Sequence, residues 1–185
     1  DNTKSILETQ KAFKIIHNKM NRGKGFAIVE GAKHASKDNF ILMDGDLEID
    51  MSCIPIIITE YELNPNTVTV GSRWEKESMR FNKKHLNTYG NFLINYIFNF
   101  LYKTNLNDVL CCVKIINNNL FKSLKLESLS FSVEMELMSK LALINTKFHQ
   151  VKIKYKRRKK SEGKKLKISD GWGILWKMIN LRFKK

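Results

Sequence analysis

The spacing of apolar residues changes repeatedly along the chain, and each change marks an element. Residues Lys4 to Gln10 read as the end of a helix, and the short apolar piece Phe13 to Ile16 reads as a strand. After NRGKG (Asn21 to Gly25), the apolar positions Phe26, Val29 and Ala32 fall at helical spacing, so a helix is predicted over Gly25 to Ala35, starting at the glycines. Phe40 to Met43 is a compact apolar strand that runs straight into DGD. A helix over Ile54 to Leu63 and a β-branched strand over Thr67 to Val70 follow.

A longer helix is predicted over Lys83 to Tyr102. There Asn87, Asn91, Asn95 and Asn99 recur every four residues, share one face, and read as a solvated stripe. Phe131 to Leu143 is helical in pattern, Phe148 to Tyr155 alternates as a strand does, Lys156 to Lys167 is a basic loop, and Asp170 to Phe183 is a tail helix. The alternation of strand and helix implies an α/β sheet. With 185 residues, two prolines and no internal repeat, the chain reads as one domain: a core over residues 1–155, then a basic loop and amphipathic tail helix over residues 156–185.

Charge adds a partner class. The chain carries 33 Lys and Arg against 18 Asp and Glu, a formal net charge of +15. From Lys147 to Lys185 there are 15 basic and 2 acidic residues, so most of that excess sits in the C-terminal fifth. An excess of this size favours a phosphate-bearing partner: a nucleotide, a nucleic acid or an anionic membrane. The basic loop has few interleaved aromatics and no recognisable nucleic-acid module, so RNA is the rival reading of KRRKK (Lys156 to Lys160) and no nucleic acid is expected. Trp172, Trp176 and Phe183 lie in a tail with Lys177, Arg182, Lys184 and Lys185, which suits an interfacial helix; packing on its own domain explains the Trp face equally well. Cys53, Cys111 and Cys112 form neither a disulfide framework nor a zinc pattern. No apolar run reaches the roughly 20 residues of a bilayer span, and no secretory signal opens the chain, so a cytoplasmic, membrane-peripheral location is expected.

The chemistry centres on Met43, Asp44, Gly45 and Asp46, at the end of an apolar strand where a sheet's carboxyl edge presents ligands. Two carboxylates two residues apart can reach one hard cation, which binds oxygen and substrate phosphates; Gly45 keeps the turn uncrowded, and Glu48 continues the alternation. A nucleoside diphosphate leaving group gathers negative charge, which a cation stabilises as a Lewis acid. Alone, two aspartates in a turn are more often a solvated loop, and it is the neighbouring motifs that raise the metal reading. NRGKG likewise reads either as a loop with a helix start or as a phosphate-side element carrying Lys24.

The order NRGKG, GAKHA, DGDLEID, VTVGSRW (Val68 to Trp74), DVLCCVK (Asp108 to Lys114), FSVE (Phe131 to Glu134) and VKIKYKRRKKSEGKKLKISDG (Val151 to Gly171) resembles a family 2 glycosyltransferase, nearest the polyprenyl-phosphate sugar transferases such as dolichyl-phosphate mannosyltransferase. The resemblance implies an inverting enzyme with a GT-A fold, a Rossmann-like mixed sheet. It also implies that the first βαβ unit of that fold, with its DDGS turn, lies upstream of Asp1. By the same resemblance Asp44, Asp46 and Glu48 bind a divalent metal (Mn2+ or Mg2+) and the donor diphosphate, with Asp46 the catalytic candidate. Gly45, Arg73, Arg158, Lys165 and Lys24 are donor-side or phosphate-side candidates, while Lys84, Thr88 and Asp108 are acceptor-side candidates. Glu134 falls on the family's FxxE glutamate, to which no role is assigned, and Cys112 and Val113 stand where the family usually has glycine and phenylalanine. The implied partners are a nucleotide sugar of the GDP-mannose or UDP-glucose type and a lipid-phosphate acceptor. A glycan acceptor, or a basic binding module without catalysis, are the alternatives. A phosphate acceptor is already an anionic nucleophile, so transfer calls for positioning and charge screening more than for a general base.

Overall fold

The computed structural model describes residues 2–10, 12–74, 86–158 and 170–184, with the backbone alone for 86–88 and 170. Seven helices and four strands are found among them: α1 (Thr3–Glu8), α2 (Lys24–His34), β1 (Asn39–Leu42), α3 (Cys53–Leu63), β2 (Val68–Ser72), α4 (Leu86–Tyr102), β3 (Lys114–Asn117), α5 (Asn118–Ser123), α6 (Val133–Leu143), β4 (Phe148–Lys152) and α7 (Asp170–Phe183).

The strands form one mixed sheet in the order β1-β3-β2-β4. β2 and β4 are parallel, whereas β3 runs antiparallel to both β1 and β2. β1, β2 and β4 therefore end at the same edge of the sheet, and the segment leading into β3 arrives at that edge too. Alternation sorts the side chains into two layers. Phe40, Leu42, Val68, Val70 and Ile116 face a core built with α2, α4, α6 and α7. Ile41, Met43, Ile115, Val151 and Ile153 face a smaller core under α3, through Cys53 and Ile57.

Three expectations change. Phe13 to Ile16 is not a strand; both residues are exposed or half-exposed, with no sheet neighbour to pair with. The Asn stripe is not solvated as a whole. Asn95 is buried, donates to the Leu106 carbonyl (2.7 Å) and accepts from the Val109 N–H (2.9 Å). Asn99 donates to the Leu106 carbonyl (2.8 Å) and accepts from the Leu106 N–H (2.9 Å). Amides at this spacing thus satisfy the backbone of the chain leaving α4, where an unpaired buried group would be costly. Finally β3 and α5, which the periodicity did not mark, occupy the middle of the sheet and its exit.

The loop before α6 is tied down by one carboxylate. Glu136 is fully buried and accepts from the backbone N–H groups of Glu127 (3.0 Å) and Ser128 (2.7 Å). Lys140 lies 2.7 Å from it, and Lys177 of α7 approaches to 3.9 Å. Burial favours the neutral acid, but these donors win and hold the carboxyl down at about 2. A depressed folded-state value means that the stabilisation is complete above the unfolded glutamate value, about 4.3, and is lost as pH falls from there towards 2. Urea unfolding across that window should show a loss of roughly 3 kcal/mol attributable to this group. In Glu136→Gln that part of the acid limb should be flat, at the cost of lower stability at neutral pH.

Candidate active site

At the carboxyl edge of β1, β2 and β4, acidic and basic side chains alternate and close on one another. The first group begins at α2. Gly23 has φ +91°, a left-handed conformation that favours glycine, and a Cβ there would lie 2.2 Å from the Leu129 carbonyl oxygen. A Cβ on Gly25 would lie 1.9 Å from the Ser128 carbonyl oxygen, and the Gly25 N–H donates to Leu129 (2.9 Å). The two glycines of NRGKG are therefore required by backbone contact. They seat α2 against the loop before α6, and Lys24 between them is carried inward. Arg22 instead lies over the Phe26 ring, 4.1 Å from its centre.

Lys24 Nζ meets Asp44 at 2.8 Å to Oδ1 and 2.9 Å to Oδ2, and Glu134 at 3.0 Å. The other oxygen of Glu134 takes Lys114 at 2.5 Å; Lys114, fully buried on β3, also donates to the Cys111 carbonyl. The chain Lys114–Glu134–Lys24–Asp44 is thus electrically balanced and joins β3, α6, α2 and the end of β1. Burial disfavours the charge on Lys24, and Glu134 and Asp44 more than reverse this, raising its pKa. Glu134 is treated alike in the opposite sense: burial opposes its charge, and Lys114 and Lys24 outweigh burial and lower its pKa.

The second group joins the acidic turn to the chain beyond β4. Asp46 Oδ2 accepts from Arg158 Nη2 (2.9 Å), and Glu48 accepts from the Arg158 N–H (3.1 Å) and the Tyr155 hydroxyl (3.0 Å). The Glu48 carbonyl accepts from the Lys156 N–H (2.7 Å), and Ile49 bridges Tyr155. Burial first, and then Glu48, push the Tyr155 phenol up to about 12, partly offset by Arg73, so it remains a donor.

The third group lies at the end of β2. The Arg73 guanidinium binds Asp108 in a fork, Nε to Oδ2 at 2.7 Å and Nη2 to Oδ1 at 2.8 Å, while the Arg73 N–H adds a bond to Oδ2 at 3.0 Å. Trp74 and Tyr155 flank it, the latter 5.3 Å from the guanidinium carbon.

Of the residues nominated from sequence, Lys24, Asp44, Asp46, Glu48, Arg73, Asp108 and Arg158 are all brought to this edge. The three carboxylates, however, do not face one site as simple alternation suggests. The chain bends at 45–47, Leu47 adopts a positive φ of 58°, and the Glu48 N–H folds back on Asp46 (3.0 Å), so Asp44 closes on Lys24 while Asp46 and Glu48 close on Arg158. Carboxylate oxygens suit a hard divalent cation in their chemistry. As arranged they form two groups already held by Lys24 and Arg158, and no three acidic, His or Cys side chains among the described residues converge on one metal position. Among the described residues no atom lies within 4 Å of a Cβ placed on Gly45, so no close contact there demands glycine. Arg73, expected to meet phosphate, has its fork occupied by Asp108, which in turn fixes the loop before β3. Lys84 and Lys165 lie outside the described residues; Thr88 falls in the first turn of α4, and its side chain is likewise outside the description. The sequence reading missed Lys114. A lysine in the apolar run VLCCVKII is the signal, since a buried ammonium requires a counter-charge and FSVE supplies it.

Replacing Asp108 with Ala strands the Arg73 guanidinium and should cost about 3–5 kcal/mol in chemical unfolding. Asp108→Asn, which keeps one acceptor, should cost less. A loss below about 1 kcal/mol for the Ala variant would place the pair among contacts of little structural weight.

A comparison with curated proteins finds no match. Residues 1–125 match the family model described as Glycosyl transferase family 2. The mixed four-stranded α/β sheet fits the GT-A-like fold implied by the motifs. With about two thirds of its length matched, and its charged edge assembled from the motifs that carry the resemblance, the chain belongs to glycosyl transferase family 2.

Proposed function

We propose that the protein is an inverting hexosyltransferase that moves a sugar from a nucleoside diphosphate donor of the GDP-mannose or UDP-glucose type to a polyprenyl, dolichyl-type phosphate, working peripherally at the cytoplasmic face of a membrane. Family membership gives the reaction class: a glycosyltransferase with a nucleotide-sugar donor and an acceptor. The observation that carries the finer reading is the paired charge at the carboxyl edge of β1, β2 and β4, where open α/β sheets bind ligands. Lys24 and Arg158 each hold an acidic partner there, on either side of Gly45 in the turn.

In this reading the donor diphosphate lies over the Asp44–Asp46 turn. Its phosphates exchange partners with Lys24 and Arg158, whose charge then faces the bond that breaks between the anomeric carbon and the leaving diphosphate. The acceptor phosphate oxygen attacks that carbon from the opposite face, and inversion follows. No side chain has to remove a proton from an acceptor that is already anionic, so the work is positioning. Family members often use a divalent cation; Asp44 and Asp46 are the residues that would hold Mn2+ or Mg2+, which would supply Lewis-acid stabilisation to the leaving group in competition with Lys24 and Arg158. The Arg73–Asp108 pair organises the acceptor side through the loop before β3.

Calorimetric titration with GDP-mannose and UDP-glucose, with and without Mn2+, tests the reading. One donor should bind, more tightly with metal, and Asp46→Ala should weaken it at least about tenfold, or about 1.4 kcal/mol. Unchanged donor affinity in Asp46→Ala would remove the site assignment. Transfer to dolichyl phosphate, compared with a soluble glycan, decides the acceptor.

A further inference from the structure

Helix α4 carries no Asp, Glu, Lys, Arg or His in 17 residues, although it lies at the surface. Its inner face, Ile94, Phe98 and Tyr102, is in the core. Its outer face is apolar as well: Tyr89, Leu93, Tyr96 and Phe100 stand at i, i+4, i+7 and i+11, with Tyr96 71% and Phe100 75% exposed. Apart from the asparagine face that serves the loop after α4, the helix is thus apolar inside and out, and an exposed apolar row of this length marks a surface that something other than water covers.

The adjoining helix α7 repeats the pattern. Ile174 and Met178 enter the same core as Ile94 and Phe98, and the Tyr102 hydroxyl donates to the Met178 carbonyl at 2.8 Å, so the two helices are packed together. On the opposite side of α7, Trp172, Trp176, Ile179 and Phe183 again follow i, i+4, i+7 and i+11, with Trp172 75% and Trp176 64% exposed.

We infer that the outer faces of α4 and α7 together form a single docking platform for an anionic phospholipid surface. Charge selects this occupant. Lys103 follows α4 directly, Arg182 and Lys184 are exposed at the end of α7, and eight of the twelve residues from Lys156 to Lys167 are basic against one acidic. A net charge of +15 repels a second copy of the chain and attracts anionic headgroups, each basic residue near such a surface contributing about 1 kcal/mol. No helix of the described residues is long and apolar enough to cross a bilayer, so α4 and α7 lie on the surface with their aromatic residues at the headgroup level. This extends the membrane-side part of the function proposed above. It assigns α4, inside the family-matched region, a role that the basic tail alone does not supply.

The test is co-sedimentation of the protein with vesicles of phosphatidylcholine alone and of phosphatidylcholine mixed with phosphatidylglycerol, with donor binding measured in parallel. The platform predicts binding to the anionic vesicles, weakened by salt. It also predicts loss of at least about tenfold in affinity in Leu93→Asn/Phe100→Asn and, independently, in Trp172→Ala/Trp176→Ala. These side chains are exposed, so thermal unfolding and donor affinity should be unchanged in both variants. Wild-type binding that survives the α4 changes would overturn the joint platform. Absence of vesicle binding, or a lipid-independent dimer by sedimentation velocity that the α4 changes dissociate, would overturn the lipid assignment while leaving the donor reading standing.

Discussion

A carboxylate buried between two lysines holds this structure's working edge in place. Glu134 joins Lys114 on the central antiparallel strand to Lys24 at the start of α2, and Lys24 passes the connection on to Asp44 at the end of β1. Burying Lys114 and Glu134 and partly burying Lys24 and Asp44 is costly, and the arrangement is stable because each charge meets an opposite one. Replacing the network by apolar residues could give an equally stable fold. Such a core would leave the β1 end without a defined position, and that position is where the acidic turn starts.

The same logic of paired charge extends across the edge. Arg158 closes on Asp46 and Glu48, and Arg73 closes on Asp108, so each strand end is clasped to the segment beside it. An edge assembled this way is preorganised without a ligand, and the proposed function rests on its exchange with a diphosphate, which would offer Lys24 and Arg158 the same kind of anionic oxygens they already hold. The buried pairs, Lys114 with Glu134 and Arg73 with Asp108, serve the frame. The more exposed ones, Lys24 with Asp44 and Arg158 with Asp46, are those that the proposed function has exchange with donor phosphates.

Most elements could be read from the sequence because amphipathic spacing and the turn glycines report burial directly: α2, α3, α6, β1, β2 and α7 fall within a few residues of their expected limits. Three features could not be read that way, each for a physical reason. β3 is buried on both faces, so VKII lacks the alternation that marks a strand, and Lys114 inside it mimics a solvent position until its partner on α6 is known. Asn95 and Asn99 look like a wet stripe because asparagine usually is one, whereas here they satisfy backbone of a loop seven to fourteen residues away. The acidic turn follows β1 as its place after the apolar run implies, but its geometry depends on the left-handed Leu47, a conformation that spacing does not encode. The glycines of NRGKG had two readings, and the contacts at Gly23 and Gly25 favour the structural one while leaving Lys24 to the site.

The most direct measurement of whether the buried charge chain frames the edge is a double-mutant cycle in unfolding free energy on Lys114→Met and Glu134→Gln. The account predicts that each single change costs about 3–5 kcal/mol, since each strands a buried partner, and that the double variant is about 2 kcal/mol or more better than the sum of the two. Costs that simply add would mean that the two residues act independently, which would contradict the framing role given to Glu134.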